Sequence, residues 1–115
     1  MEGNTRSINQ DIGTQFIVDD LQIICAIYNS CHVITGKRVI EVKNTTLDTF
    51  LRRVNSKLLV RVHQSIAVNL KAITYIDLTR KIVSVAKHEV PLGDEFANSL
   101  LKGFYNHSKS LFFEA

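Results

Sequence analysis

The chain is poor in the features that mark linkers, membranes, secretion or catalysis. One proline and five glycines in 115 residues leave no stretch that reads as an interdomain connection. No apolar run approaches the roughly 18 residues that a membrane-spanning helix needs. The start, Met1-Glu2-Gly3-Asn4-Thr5-Arg6, is polar and lacks the apolar core of a signal peptide. The plain expectation is a soluble, cytoplasmic chain. Only two cysteines are present, Cys25 and Cys31, with His32 beside the second. No further Cys or paired His completes a closed metal set, so both read as reduced, buried residues. On one unbroken strand the two thiols would share a face, too far apart for a bridge. Phosphate-binding glycine loops of the P-loop and dinucleotide types are missing. His63 and Ser65 are two apart and share a face of a regular strand, yet no nucleophile elbow or oxyanion loop accompanies them. The adjacent carboxylates Asp19 and Asp20 read as the end of a strand. No catalysis, cofactor or metal is expected.

What is present suits one domain with a real core. A hydrophobic fraction of 45% and a charged fraction of 22% are ordinary for a globular chain. The formal net charge of +3 is unevenly spread: −2 over residues 1–50, +6 over 51–90 and −1 over 91–115. The basic block holds Arg52, Arg53, Lys57, Arg61, Lys71, Arg80, Lys81 and Lys87. Such focusing suits a polyanion partner; equally, it fits basic residues scattered around a solvated face.

Periodicity predicts a mainly β chain with two helices. Strands are expected at Phe16–Val18, Leu21–Ile27, Cys31–Thr35 and Val39–Lys43, with Tyr28-Asn29-Ser30 and Gly36-Lys37-Arg38 as connections. In the last of these, Val39, Glu41 and Lys43 face one way and Ile40 and Val42 the other. Leu47, Phe50, Leu51 and Val54 recur at helical spacing, with Thr45 and Asp48 resembling a capping box and Asn55-Ser56 as the stop. Further strands are expected at Ile73–Asp77, Lys81–Ala86 and Glu89–Leu92, with turns at Leu78-Thr79-Arg80 and Lys87-His88. A second helix should run from Asp94 to about Phe104, leaving a tail that ends in Leu111-Phe112-Phe113.

The most informative stretch is Leu59-Val60-Arg61-Val62-His63-Gln64-Ser65-Ile66-Ala67-Val68-Asn69-Leu70. Apolar and polar residues alternate up to His63, three hydrogen-bonding side chains follow, and a second apolar strand returns. A connection carrying Arg61, His63 and Gln64 reaches both phosphates and base edges. Gln64 is able to bond an adenine edge through both amide groups. His63 suits donation to a phosphate or a guanine, or a structural bond to a neighbouring carbonyl. Asn69 and Ser65 fit structural roles, since both residue types readily bond nearby backbone.

This stretch resembles the R-x-H-x-S-x-x-V-N signature of LytTR-type DNA-binding domains of bacterial transcription regulators, at Arg61, His63, Ser65, Val68 and Asn69. Val68-Asn69-Leu70-Lys71-Ala72-Ile73 is similar to the family's V-N-L-x-x-I, and the order of elements matches over roughly residues 12–105. The resemblance implies a flexible segment 1–11, a binding domain 12–105 and a tail 106–115. It implies an elongated fold of about ten short strands in small antiparallel sheets with two short helices. Loops, rather than a recognition helix, would enter successive grooves of double-stranded DNA.

Carried over by position, the contact sites fall at Tyr28-Asn29-Ser30, at His63-Gln64, and after Pro91-Leu92. At the last place the family usually has Ser-Arg and this chain has Gly93-Asp94. Asp94 is a carboxylate where a guanine-reading Arg is expected, and a candidate N-cap for the following helix. The expected roles are Arg61, Lys71, Lys37 and Arg38 on the phosphate backbone, and Gln64, Asn29 and Ser30 on bases. Promoter DNA with direct repeats is the implied partner, bound by two copies as a homodimer. The aromatic tail would pack on its own domain or on that second copy. The receiver domain of many family members is not in these residues, which suggests a free-standing domain or a fragment. The rival reading is a protein-interaction module that keeps the fold but has lost tight DNA binding, with Asp94 its best argument.

Overall fold

The computed structural model describes residues 16–113, the side chains of 109–113 excepted. Among the described residues eight strands form two antiparallel sheets. The strands are β1 (Leu21–Ile27), β2 (Ser30–Thr35), β3 (Val39–Lys43), β4 (Leu59–His63), β5 (Ile66–Asn69), β6 (Ile73–Asp77), β7 (Ile82–Val85) and β8 (His88–Pro91). Helix α1 spans Leu47–Val54 and α2 spans Ala97–Phe113. The five-stranded sheet runs β3-β2-β1-β5-β4 and the three-stranded sheet β6-β7-β8. The mainly β fold with two helices is therefore as expected, with eight strands rather than about ten. The described residues measure 38 × 35 × 24 Å, a slab more than a rod.

The five-stranded sheet is buried on both faces at β5, which explains why that strand is apolar without alternation until Asn69. One face packs Leu21, Ile24, Val33, Val42 and Leu59 under Leu47 and Phe50 of α1. The other packs Ile23, Val62, Ile66 and Val68 against Val83, Val85 and Val90 of the small sheet and Leu100 of α2. Leu21 and Ile24 are three apart yet face one core, because the register shifts between Leu21 and Ile23. Strand β3 alternates as expected, Ile40 and Val42 buried and Val39, Glu41 and Lys43 exposed.

Several local expectations need correction. Phe16–Val18 is not a strand: a 3-10 turn covers Val18–Asp20, and Phe16 leans on Phe50 with ring centroids 5.8 Å apart. Packing on the α1 core wins there over strand pairing. Helix α1 is capped by Thr46, whose hydroxyl accepts from the Thr49 N–H at 3.1 Å. Thr45 is buried instead, donating its N–H to the Asn29 carbonyl at 3.0 Å. Asn55 ends α1 in the left-handed region, φ 52°, as an Asn stop should. Strand β7 is shorter than Lys81–Ala86 because both of those residues take positive φ, 56° and 54°. The β7–β8 turn is Ala86-Lys87, one residue earlier than expected. Helix α2 does not stop near Phe104. No Pro follows, and Gly103 stays helical with its bare face toward Val60 and Leu70. The expected segment 1–11 lies outside the described residues. The two cysteines fall on neighbouring strands one register position apart, Cys25 opposite His32 and Cys31 opposite Ala26, and pack into different cores.

Candidate nucleic-acid interface

The fixed letters of the 61–69 motif build the scaffold of a hairpin. Gln64 and Ser65 form the two-residue link between β4 and β5, closed by His63 opposite Ile66. Neither link residue has positive φ, so this is not a glycine-type hairpin turn. Side chains satisfy its backbone instead. The His63 Nδ1 accepts the Ser65 N–H at 3.1 Å, and Arg61 Nη2 donates to the Gln64 carbonyl at 2.6 Å. The Ser65 carbonyl accepts the Ala26 N–H of β1 at 2.8 Å. Val68 is fully buried. Asn69, also fully buried, donates Nδ2 to the Val18 and Leu21 carbonyls at 3.0 and 2.8 Å and accepts the Lys71 N–H at 2.9 Å. Gln64, a free position of the motif, is the exposed one.

Arg61 is more deeply engaged than a phosphate-holding side chain would need. It pairs with Asp48 at the start of α1, bonds Gln64, and lies over the Phe96 ring at 5.9 Å. Its Nε is buried without a hydrogen-bond partner among the described residues. Nothing in the sequence points to Asp48 and Phe96 as its partners, because both are remote in the chain.

Two further loops join the Gln64 hairpin. Tyr28 and Asn29 link β1 to β2, with Tyr28 at φ 56° and wholly exposed. Asn29 is exposed and Ser30 half-buried. The centres of the two hairpins are two strand spacings apart, about 10 Å. Gly93 donates its N–H to the Val62 carbonyl at 2.7 Å, which brings Gly93-Asp94 beside β4. A Cβ on Gly93 would come within 3.1 Å of the Phe96 ring, so glycine suits this close approach. Asp94 caps nothing with its side chain; it pairs with Lys81 Nζ at 3.0 Å. The expected N-cap role is thus replaced by an exposed ion pair.

Lys37, Arg38 and Lys71 lie elsewhere. They sit at the Leu21 end of β1, while the hairpins sit at its Ile27 end, about 20 Å away along seven residues of strand. There they line a cavity of about 700 Å³ together with Phe16, Ile17 and Asp19. Lys71 pairs with Asp19 at 3.1 Å. Half of the sequence block of positive charge, four of its eight residues, is matched by acids in space. Arg61 meets Asp48, Lys71 meets Asp19, Arg80 meets Asp77 and Glu89, and Lys81 meets Asp94.

Burial raises the Cys25 thiol, and burial followed by the nearby Cys25 charge pushes Cys31 up to about 11. Among the described residues no group of three His, Cys, Asp or Glu is placed to hold a metal ion, and no helix is long and apolar enough to cross a membrane.

Comparison with known proteins bears on this arrangement. Residues 14–104 match the family model described as LytTr DNA-binding domain. The fold is similar to the LytTr DNA-binding domain of a response-regulator protein from Bacillus cereus. That likeness has a TM-score of 0.67 at 20% identity, covering 76% of this chain and 84% of the other. A comparison with curated protein sequences finds no match. A family match over most of the chain, on the fold expected from the signature, settles membership: the chain belongs to the LytTR family of DNA-binding domains.

Proposed function

We propose that this chain is a sequence-specific, double-stranded-DNA-binding transcription regulator that presents three loops, not a helix, to the duplex. The observation that carries this reading is convergence. Tyr28–Ser30, His63–Ser65 and Gly93-Asp94 come from separate parts of the sequence and meet at one end of the five-stranded sheet, tied by the Ala26–Ser65 and Gly93–Val62 bonds. Gln64 and Asn29 are the base readers, being exposed, uncharged and able to donate and accept at once. Ser30 supports Asn29. His63 uses Nδ1 as an acceptor, so the neutral ring carries its proton on Nε2 and offers it to a phosphate. Arg61 acts by holding the Gln64 backbone. Lys37, Arg38 and Lys71, about 20 Å off, stay beyond the roughly 8 Å over which salt leaves exposed charges in touch. Two copies on direct repeats would add specificity without a large protein interface.

Fluorescence anisotropy on duplexes selected from a random library, repeated across salt concentrations, tests the reading. A salt-sensitive complex that prefers the selected sequence is expected. Absence of any such complex at micromolar protein would favour the rival, a protein-interaction module, for which the exposed carboxylates Asp48 and Asp94 at the same end speak.

A further inference from the structure

The cations at the Leu21 end have no part in the loop reading, and the cavity they line is of a size for a small molecule. Its volume of about 700 Å³ lies within the roughly 300–1,000 Å³ of ordinary ligand pockets. Part of its wall is apolar, from Phe16, Ile17, Leu21 and Ile40. Ile17 is 71% exposed, so it offers apolar surface that a ligand body would take out of water. Another part of the wall is the β2–β3 turn, Gly36-Lys37-Arg38. Thr35 fixes that turn: its Oγ1 accepts the N–H groups of Lys37 and Arg38 at 3.2 and 3.1 Å, and its N–H donates to the Arg38 carbonyl at 2.9 Å. The backbone carrying the two cations is thereby preorganised.

Charge narrows the choice of ligand. Lys37, Arg38 and Lys71 line the cavity with Asp19 and Asp20, which leaves one positive charge in excess. Lys71 is taken by Asp19, whereas Lys37 and Arg38 form no ion pair among the described residues. We propose that this cavity binds a small organic monoanion with an apolar body. Its carboxylate sits on the Lys37-Arg38 turn, where the guanidinium fork of Arg38 matches both oxygens. Its body covers Ile17 and the neighbouring Phe16, Leu21 and Ile40. An inorganic anion would leave that apolar wall unused, and a second negative charge would meet Asp20. The cavity lies about 20 Å from the loops, so the inference stands apart from the DNA reading.

The ordinary explanation is a solvated basic turn beside a surface depression, and a series of probes differing only in head group separates the two. Octanoate, octanamide and octylamine are titrated into the full chain near neutral pH and followed through backbone amide NMR shifts, with acetate as the probe that lacks a body. Octanoate should saturate at a dissociation constant of about 1 mM or tighter, as a ligand of its size allows, with shifts centred on Ile17, Gly36, Lys37 and Arg38. Octanamide should bind about fivefold more weakly, octylamine more weakly still, and acetate should not saturate. Lys37→Gln with Arg38→Gln should weaken octanoate about tenfold and leave octanamide unchanged. Ile17→Ser should weaken both about threefold through lost apolar contact. Lys87→Gln, which removes a charge in the β7–β8 turn, should change neither. All these side chains except Ile17 are exposed and polar, and melting checks that each variant folds. Equal binding of the three octyl probes would overturn the inference. So would octanoate shifts centred away from the cavity, or unchanged octanoate affinity in the folded double variant. Failure of octanoate to saturate by about 10 mM would also overturn it, leaving the cavity to a protein segment.

Discussion

The two ends of the five-stranded sheet are built from opposite chemistry. At the Ile27 end Asn29 and Gln64 are exposed, and Arg61 and Lys81 are each paired with an acid. At the Leu21 end Lys37, Arg38 and Lys71 ring a cavity floored by Phe16, Leu21 and Ile40. A count of basic residues would choose the second end for DNA. Loop convergence and the family signature choose the first. On the proposed reading, positive charge in the sequence points poorly to the DNA face, because acids remote in the chain fold back onto it. Exposed amide side chains on a rigid hairpin are the better pointer, because phosphate contacts position a protein and base contacts specify its site.

The largest test of this comparison is Asn69→Ala, which attacks the frame holding both ends. Its side chain serves two carbonyls and one N–H inside the core. Stranding buried polar groups costs about 1–3 kcal/mol each where water cannot re-enter, so a total loss of about 3 kcal/mol is expected. Urea unfolding measures it. A loss under about 1 kcal/mol would mean that the clamp between the 3-10 turn and β5 is dispensable.

Next in size is Arg61, where position and charge can be separated. Arg61→Ala removes the Gln64 carbonyl bond, the Asp48 pair and the Phe96 contact together, and should weaken the selected complex by about 2 kcal/mol while blurring base preference. Arg61→Lys keeps the charge but not the planar fork that reaches Gln64 and Asp48 at once. If Arg61 works through the loop, Lys should not restore the base preference, and the salt slope should stay near that of wild type in both variants. Full rescue by Lys would return Arg61 to the phosphate-holding role that its sequence context suggests.

Gln64→Ala compared with a triple far-end change, Lys37→Ala with Arg38→Ala and Lys71→Ala, sharpens the contrast directly. The first should cost about 1–3 kcal/mol of discrimination at one base pair with unchanged melting. The triple change should alter affinity for the selected duplex less than about twofold, since those charges lie well beyond a Debye length of the loops. Equal losses from the two would erase the distinction between the ends.

Much of this frame was legible before the fold. Alternation in Val39–Lys43, the apolar stripe of α1 and the strand-link-strand pattern of 59–69 each report a local period, and local periods survive folding. The places that misled were settled by partners far away in sequence. Phe16–Val18 looks like a strand but is claimed by Phe50 and Asn69. Thr45 and Thr46 are equally good caps on paper, and the Asn29 carbonyl decides by drawing Thr45 inward. The same holds for the proposed site. The signature proposes its loops, whereas the engagement of Arg61 by Asp48 and Phe96 could not be foreseen, since nothing local links residues 48, 61 and 96.

The smallest effect expected is on stability at Asp94, and its smallness is the point. Read as an N-cap, Asp94 would cost about 0.5–2 kcal/mol on replacement by Ala. In the fold it makes no capping bond, and its ion pair with Lys81 is exposed on both sides. Such pairs contribute about 0–1 kcal/mol and are further screened by salt. Asp94→Ala should therefore shift the unfolding free energy by less than about 0.5 kcal/mol, with any difference vanishing as salt rises. A loss near 2 kcal/mol that persists in high salt would reveal a helix-capping role after all. A near-silent result on stability would show that position 94 is not held by the fold.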